Sequence, residues 1–163
     1  MSSVSSSDAD DRRRKRRLTN DIKESLRELS VQLSLLNHQV SGKLDLRDAD
    51  LECLDLITRH GPLTPSALAK RAGMHPATMT GVLDRLERGG WISRDRDPSD
   101  RRAVLIQARK DRAADVFALY SGMNSSMDDI VSGYSEAELQ ILADFLTRTT
   151  NAGQEATKEL FGG

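Results

Sequence analysis

Four arginines, Arg94, Arg96, Arg101 and Arg102, stand in one short stretch interrupted by Asp95, Asp97, Pro98 and Asp100. Guanidinium groups gathered on one loop are suited to phosphate oxygens, which they hold through paired N–H donors. Upstream, Pro76, Ala77, Thr78, Thr80 and Gly81 open a segment whose side chains are small or hydroxylic. Such a surface lets backbone come close to a nucleic acid while threonine hydroxyls bond phosphate or base edges. Arg85 follows on the same segment, and three readings stay open for it: a phosphate contact, a pairing with the wing, or an ion pair with a neighbour such as Asp84 on a solvated face.

Other chemistries lack their residues. His38, His60 and His75 are isolated, and no His-x3-His or Cys-x2-Cys spacing exists, so no metal is expected. There is no Gly-x-Ser-x-Gly, no phosphate-binding glycine loop and no His-Glu-x-x-His, and the chain lacks βαβ alternation. Neither an enzyme nor a cofactor is expected. The pair Gly89-Gly90 reads as a helix stop. Cys53, the single cysteine, excludes an intramolecular disulfide and reads as a buried structural thiol rather than a redox switch, since Glu52 and Asp55 oppose thiolate formation.

The chain has 163 residues, 37% hydrophobic and 30% charged, with three Phe, two Tyr and one Trp. A core must therefore be aliphatic, which favours helices over a β-sandwich. The net charge of -1 conceals a polarity: residues 65–112 carry eleven Lys/Arg against six Asp/Glu, whereas residues 113–163 carry two against eight. A basic middle beside an acidic end suits one surface that meets a polyanion and another that does not. No apolar run approaches the length of a membrane span, and no apolar stretch follows Arg12–Arg17 as a signal peptide requires, so a cytoplasmic protein without membrane contact is expected.

The elements that must carry these residues follow from periodicity. Leu18, Ile22, Leu26, Leu29, Leu33, Leu36 and Val40 form one stripe on a long helix that should end near Ser41-Gly42. Residues 1–17 are expected to be a disordered basic arm, with Arg12–Arg17 adding phosphate contacts. A second helix is predicted over about Asp48–His60, a third from Thr64-Pro65 to Ala72-Gly73, and a fourth from His75-Pro76 to Gly89-Gly90. The last two, joined by a tight glycine turn, make a helix-turn-helix. Trp91–Arg94 and Ala103–Ile106 then read as a β-hairpin with the arginines at its tip. A long helix is predicted from Arg109, and a final one opens at the capping box Ser135-Glu136-Ala137-Glu138.

Helix-turn-helix followed at once by an arginine-tipped hairpin is the order of a winged helix. The stretch LAKRAGMHPATMTGVLDRLERGGWISRDRDPSDRRAVLI resembles the MarR family of transcriptional regulators, with Leu86 to Gly90 matching its LxxxG phrase and Asp100-Arg101-Arg102 its Asp-x-Arg wing. The resemblance spans residues 18–150. It implies a mainly α fold with a small β-hairpin, divided into the arm (1–17), an N-terminal dimerisation helix with its connection (18–47), a winged lobe (48–107) and C-terminal dimerisation helices (108–163).

It also implies a homodimer on a pseudo-palindromic duplex DNA site, with Leu18, Ile22, Leu26, Leu139, Leu142, Phe145 and Leu146 at the subunit interface. Pro76, Ala77, Thr78, Thr80, Gly81, Arg85, Arg94, Arg96, Arg101 and Arg102 would face DNA, and Asp100 would orient the wing arginines. Two departures stand out: Gly81 replaces a larger polar or basic residue, and Gln107-Ala108 replaces the Leu-Thr that caps the post-wing helix. A repressor is implied, released by a small lipophilic or phenolic inducer for which Leu36, His38, Leu56, His60 and Tyr120 are candidate pocket residues. The alternative is a winged-helix protein-interaction module without sequence-specific DNA binding.

Overall fold

The computed structural model describes residues 3–162. The chain divides into a unit ending at Gln39 and a second running from Val40 onward.

The first unit lies within helix α1 (Ser3–Lys43). The expected disordered arm is a correction: from Ser3 to Arg17 the chain is helical, while Met1 and Ser2 lie outside the described residues. The physical reason is local. Arg and Lys are good helix formers, and Asp8, Asp10 and Asp11 stand one turn ahead of Arg12, Arg14 and Lys15, the favourable acid-then-base order. Arg14 is paired with Asp11. Along the apolar stripe Leu18, Ile22, Leu29 and Leu33 are exposed, Leu18 at 62%.

The second unit is built on α2 (Asp48–His60), α3 (Pro65–Ala72), α4 (Pro76–Arg88), strands β1 (Ile92–Arg96) and β2 (Val104–Ala108), α5 (Lys110–Ser132) and α6 (Glu136–Gly162). Its core joins Leu54 and Ile57 of α2, Leu68 of α3, Met79, Val82, Leu83 and Leu86 of α4, and Trp91, Ile92 and Ile106 of the wing base. Leu68, Leu86 and Ile106 are fully buried, so truncating any one to Ala should cost about 2–5 kcal/mol.

Local chemistry explains the boundaries. Thr64 accepts a hydrogen bond from Ala67 N, with Pro65 at the first helical position of α3. Gly73, at φ +61, closes α3 in the left-handed conformation that favours glycine. His75 then caps α4, its Nδ1 accepting from Ala77 N. Ser135 opens α6 as predicted, its N and Oγ both donating to Glu138 Oε2 while Glu138 N reaches back to Ser135 Oγ. Arg109 precedes α5 with no side-chain cap, matching the missing hydroxyl at this point.

The hairpin is antiparallel, pairing Ile92 with Ala108, Arg94 with Ile106 and Arg96 with Val104. Leu63 adds a third rung unforeseen from the sequence: it exchanges backbone hydrogen bonds with Ile106, at 3.0 and 2.7 Å. The wing base is thereby tied to the segment that enters α3. Neither α5 nor α6 buries a residue within this single chain, and Leu142, Phe145 and Leu146 are exposed while Leu139 is half-buried. Among the described residues no helix is long and apolar enough to cross a membrane.

Candidate nucleic-acid interface

Helix α4 divides into two faces. Met79, Val82, Leu83 and Leu86 are buried, and the opposite side presents Pro76, Ala77, Thr78 and Thr80 to solvent. Thr80 Oγ1 donates to Pro76 O at 3.1 Å, so its lone pairs remain available as acceptors, while Thr78 is exposed. Gly81 is half-buried, and a Cβ there would meet Arg85 Nη1 at 3.4 Å. The missing side chain leaves space beside that guanidinium.

Arg85 makes an ion pair that its sequence neighbours do not announce. Its Nε and Nη2 donate to Asp50 Oδ2 and Oδ1 at 2.9 and 2.7 Å, a bidentate pair reaching across to α2. Asp50 is buried, at 2% exposure. The pair raises the Arg85 guanidinium above its ordinary value, chiefly through this hydrogen bond. Arg85 thus fixes α4 to α2 instead of facing outward, because a buried carboxylate requires a cation more than a solvated surface does.

Arg94 is likewise engaged within the chain. Its guanidinium pairs with Asp84 and lies against Glu87, with Nε 3.1 Å from Oε2 but off the line a hydrogen bond needs. Both acids belong to α4, so Arg94 braces the wing against the recognition helix with its charge already compensated. Asp100 orients the wing, though through backbone and not through guanidinium groups. Its Oδ1 accepts from Arg102 N at 3.0 Å and its carbonyl accepts from Ala103 N. Asp97 completes the turn by accepting from Ser99 N and Oγ, contacts that hold its carboxyl below the usual range.

What remains free is the tip. Arg101 and Arg102 are exposed, and neither makes an ion pair among the described residues. Arg96 is exposed too, its Nη1 reaching only the Arg101 carbonyl at 3.5 Å. Sequence reasoning passed over Lys70 and Arg71, both exposed on α3, and the hydroxyls of Thr64 and Ser66 at its start. The signal available was position: all four lie on the first helix of the helix-turn-helix, at or near its ends.

A cleft of about 620 Å³ is lined by Leu44, Leu46, Arg47, Arg88, Trp91 and Arg112 among others, and none of the five candidate pocket residues contributes. Leu36 and His38 belong to the first unit, and His60 is exposed at the end of α2. Leu56 is half-buried, and so is Tyr120, whose phenol burial and then Asp55 push upward. Cys53 is the buried thiol expected: burial, then Glu52 and Asp50, pushes it up to about 11.

A glycine-jointed helix pair followed by a two-stranded wing with free arginines defines a winged helix-turn-helix protein. Residues 46–104 match the family model described as MarR family. Over 150 residues the chain is 29% identical to YcgE, an HTH-type transcriptional regulator of Bacillus subtilis (strain 168), covering 87% of this chain and 97% of that protein. It is 30% identical over 117 residues to the HTH-type transcriptional regulator YfiV of the same organism, covering 72% and 73%. The crystal structure of Streptococcus pneumoniae FabT in complex with DNA has this fold, with a TM-score of 0.65, 23% identity, and coverage of 85% of this chain and 99% of that one. The chain belongs to the MarR family, whose members are transcriptional regulators and not enzymes.

Proposed function

We propose that the protein is a dimeric, sequence-specific DNA-binding repressor acting in the cytoplasm. The observation that carries this reading is the division of its arginines: Arg85 and Arg94 are neutralised internally, while Arg101 and Arg102 project from the wing with no acidic partner among the described residues. In the proposed complex the exposed Thr78–Thr80 face of α4 enters a major groove, and the wing tip reaches the adjacent minor groove. Pro76 and Ala77 admit the backbone close to phosphate, and Gly81 contributes space and no base contact. Lys70 and Arg71 add phosphate contacts, as do Arg96 and the basic turns Arg12–Arg17 of α1.

A second copy of the chain is the partner proposed for the exposed stripe of α1 and for Leu139, Leu142, Phe145 and Leu146 of α6, since apolar faces of this extent mark association surfaces. The inducer proposed is a small anion with an apolar body. The cleft beside Trp91 supports this, offering Leu44 and Leu46 to such a body and Arg47 and Arg88 to its charge.

Selection from a pool of random duplexes at near-physiological salt tests the reading, with Arg102→Ala as control. The expected product is an inverted repeat with half-sites about ten base pairs apart, enrichment of which is lost in the variant. Sequence-blind binding equal in both proteins would overturn it.

A further inference from the structure

We propose that Arg112 is a positioning residue that fixes the recognition helix α4 relative to the long helix α5, and thereby sets the half-site spacing the protein accepts. The inference rests on the DNA-binding reading above only for its second clause.

The joint between α4 and α5 is thin. α5 buries none of its residues and lends only Val116 to the margin of the core. The ties at the end of α4 include Arg109 N donating to Trp91 O at 2.9 Å and the contacts of Arg112. The Arg112 guanidinium lies over the Trp91 ring, 3.8 Å from its centroid, and its Nη1 donates to Gly89 O at 3.0 Å. Its Nε is held by Asp115 at 3.1 Å, one turn along α5. One side chain therefore touches the C-cap of α4, Trp91 between α4 and β1, and the first turns of α5.

The electrostatics favour this placement from α4's side. A cation in the first turn of its own helix opposes that helix's dipole, yet this one sits at the carbonyl that ends α4, where positive charge is favourable. The surrounding sequence is shaped to admit it. A Cβ on Gly89 would come within 2.7 Å of Trp91 Cδ1, and Gly90 turns at φ +73, the left-handed region that favours glycine. Gly89, legible from sequence only as part of a helix stop, also makes room for the Trp91 ring on which the guanidinium stacks. Without that guanidinium the carbonyl end of α4 loses its side-chain tie to α5. In a dimer joined through its helices, a pivot of α5 against α4 changes the separation of the two recognition helices.

The test uses the full chain, wild type, Arg112→Met and Arg112→Lys. Met keeps an apolar cover over Trp91 and removes the cation; Lys keeps the cation. Spin labels at Lys70→Cys and Ser126→Cys, both exposed, report the angle of the lobe to α5 in protein diluted with unlabelled chain. Cys53 is buried and stays in place. Circular dichroism confirms that each variant is folded, and fluorescence of Trp91, the single tryptophan, reports loss of the stacked cation. Duplexes carrying the selected half-sites at the selected spacing, and at one base pair more or less, complete the set.

The wild type is expected to show a narrow distance distribution and about a tenfold preference for its own spacing, Arg112→Met a broadened distribution with all three spacings bound within about threefold, and Arg112→Lys a profile near wild type. An unchanged distribution in Arg112→Met would overturn the joint. A broadened distribution with the spacing preference intact would overturn its role in spacing. Should the wild type show no sequence preference at all, the DNA-binding reading and the spacing role fail together, and the distances alone decide the joint.

Discussion

Removing Arg85 should damage the protein through Asp50. Asp50 is 2% exposed and receives both hydrogen bonds of a bidentate pair, whereas the Arg85 side chain is one-third exposed. Arg85→Met deletes the cation, retains much of the stem volume and strands a buried carboxylate. Stranding of this kind costs about 3–5 kcal/mol, and the lower end applies because one partner already touches solvent. For a chain of this size about 3 kcal/mol lowers the melting temperature by about 6–12 °C. Asp50→Asn removes the charge instead, leaves an Arg85 that can hydrate, and should cost about 1–2 kcal/mol. The double variant strands nothing, so its cost should fall about 2 kcal/mol short of the sum of the singles. Urea unfolding of the four proteins at one chain concentration measures this, since linked oligomerisation makes stability concentration-dependent. Additivity within about 0.5 kcal/mol would refute a coupled pair. The DNA arm is equally decisive: were Arg85 a phosphate contact, Asp50→Asn would leave binding intact and Arg85→Met alone would abolish it.

Three further outcomes follow from the same geometry. Arg101→Ala should lower the salt-dependence slope of DNA binding by about one, while Arg94→Ala leaves the slope unchanged because Asp84 and Glu87 already neutralise it; titrations at several salt concentrations compare them. Cys53 should resist a thiol reagent in the native protein at mildly alkaline pH and react only on unfolding, since its thiol is buried and pushed up to about 11; rapid labelling without denaturant would contradict this. Glu138 and Asp97 are held below their ordinary values by Ser135 and Ser99. Depressed carboxyls of this sort contribute stability above about pH 4 that is lost as pH falls through their folded-state values, so Glu138→Gln and Asp97→Asn should flatten the acid limb of melting temperature against pH.

The winged lobe was legible because its signals are local. Thr64-Pro65, Gly73, His75-Pro76 and Gly89-Gly90 each terminate or start an element by backbone chemistry that needs no distant partner, and α2, α3 and α4 run within a residue or two of the predicted limits. The strands were placed one or two residues early, because Trp91 looks like strand by type but is spent closing α4, its N donating to Leu86 O. Residues 3–17 depart from expectation for a related reason: a run of arginines reads as solvated coil until the aspartates one turn earlier are counted as helix partners. What local reasoning could not reach were pairings over long separations. Asp50 and Arg85 are 35 residues apart, and Leu63 and Ile106 more than forty. Neither pairing has a periodicity that announces it.

The arginines show why residue type alone ranks a binding site poorly. Arg85, Arg94, Arg101, Arg102 and Arg112 carry the same charge, and each stands in or beside a helix-turn-helix. What separates them is the acid within reach. Asp50 is buried and must be met, Asp84 and Glu87 stand on the face of α4 that Arg94 crosses, and Arg112 lies over Trp91 at the carbonyl end of α4. Asp100 and Asp97, the acids of the wing turn, instead accept from backbone N–H groups of that turn. Asp97 and Asp100 keep their negative charge while bonding the turn's N–H groups, so it is the geometry of the turn that leaves Arg101 and Arg102 without ion pairs among the described residues.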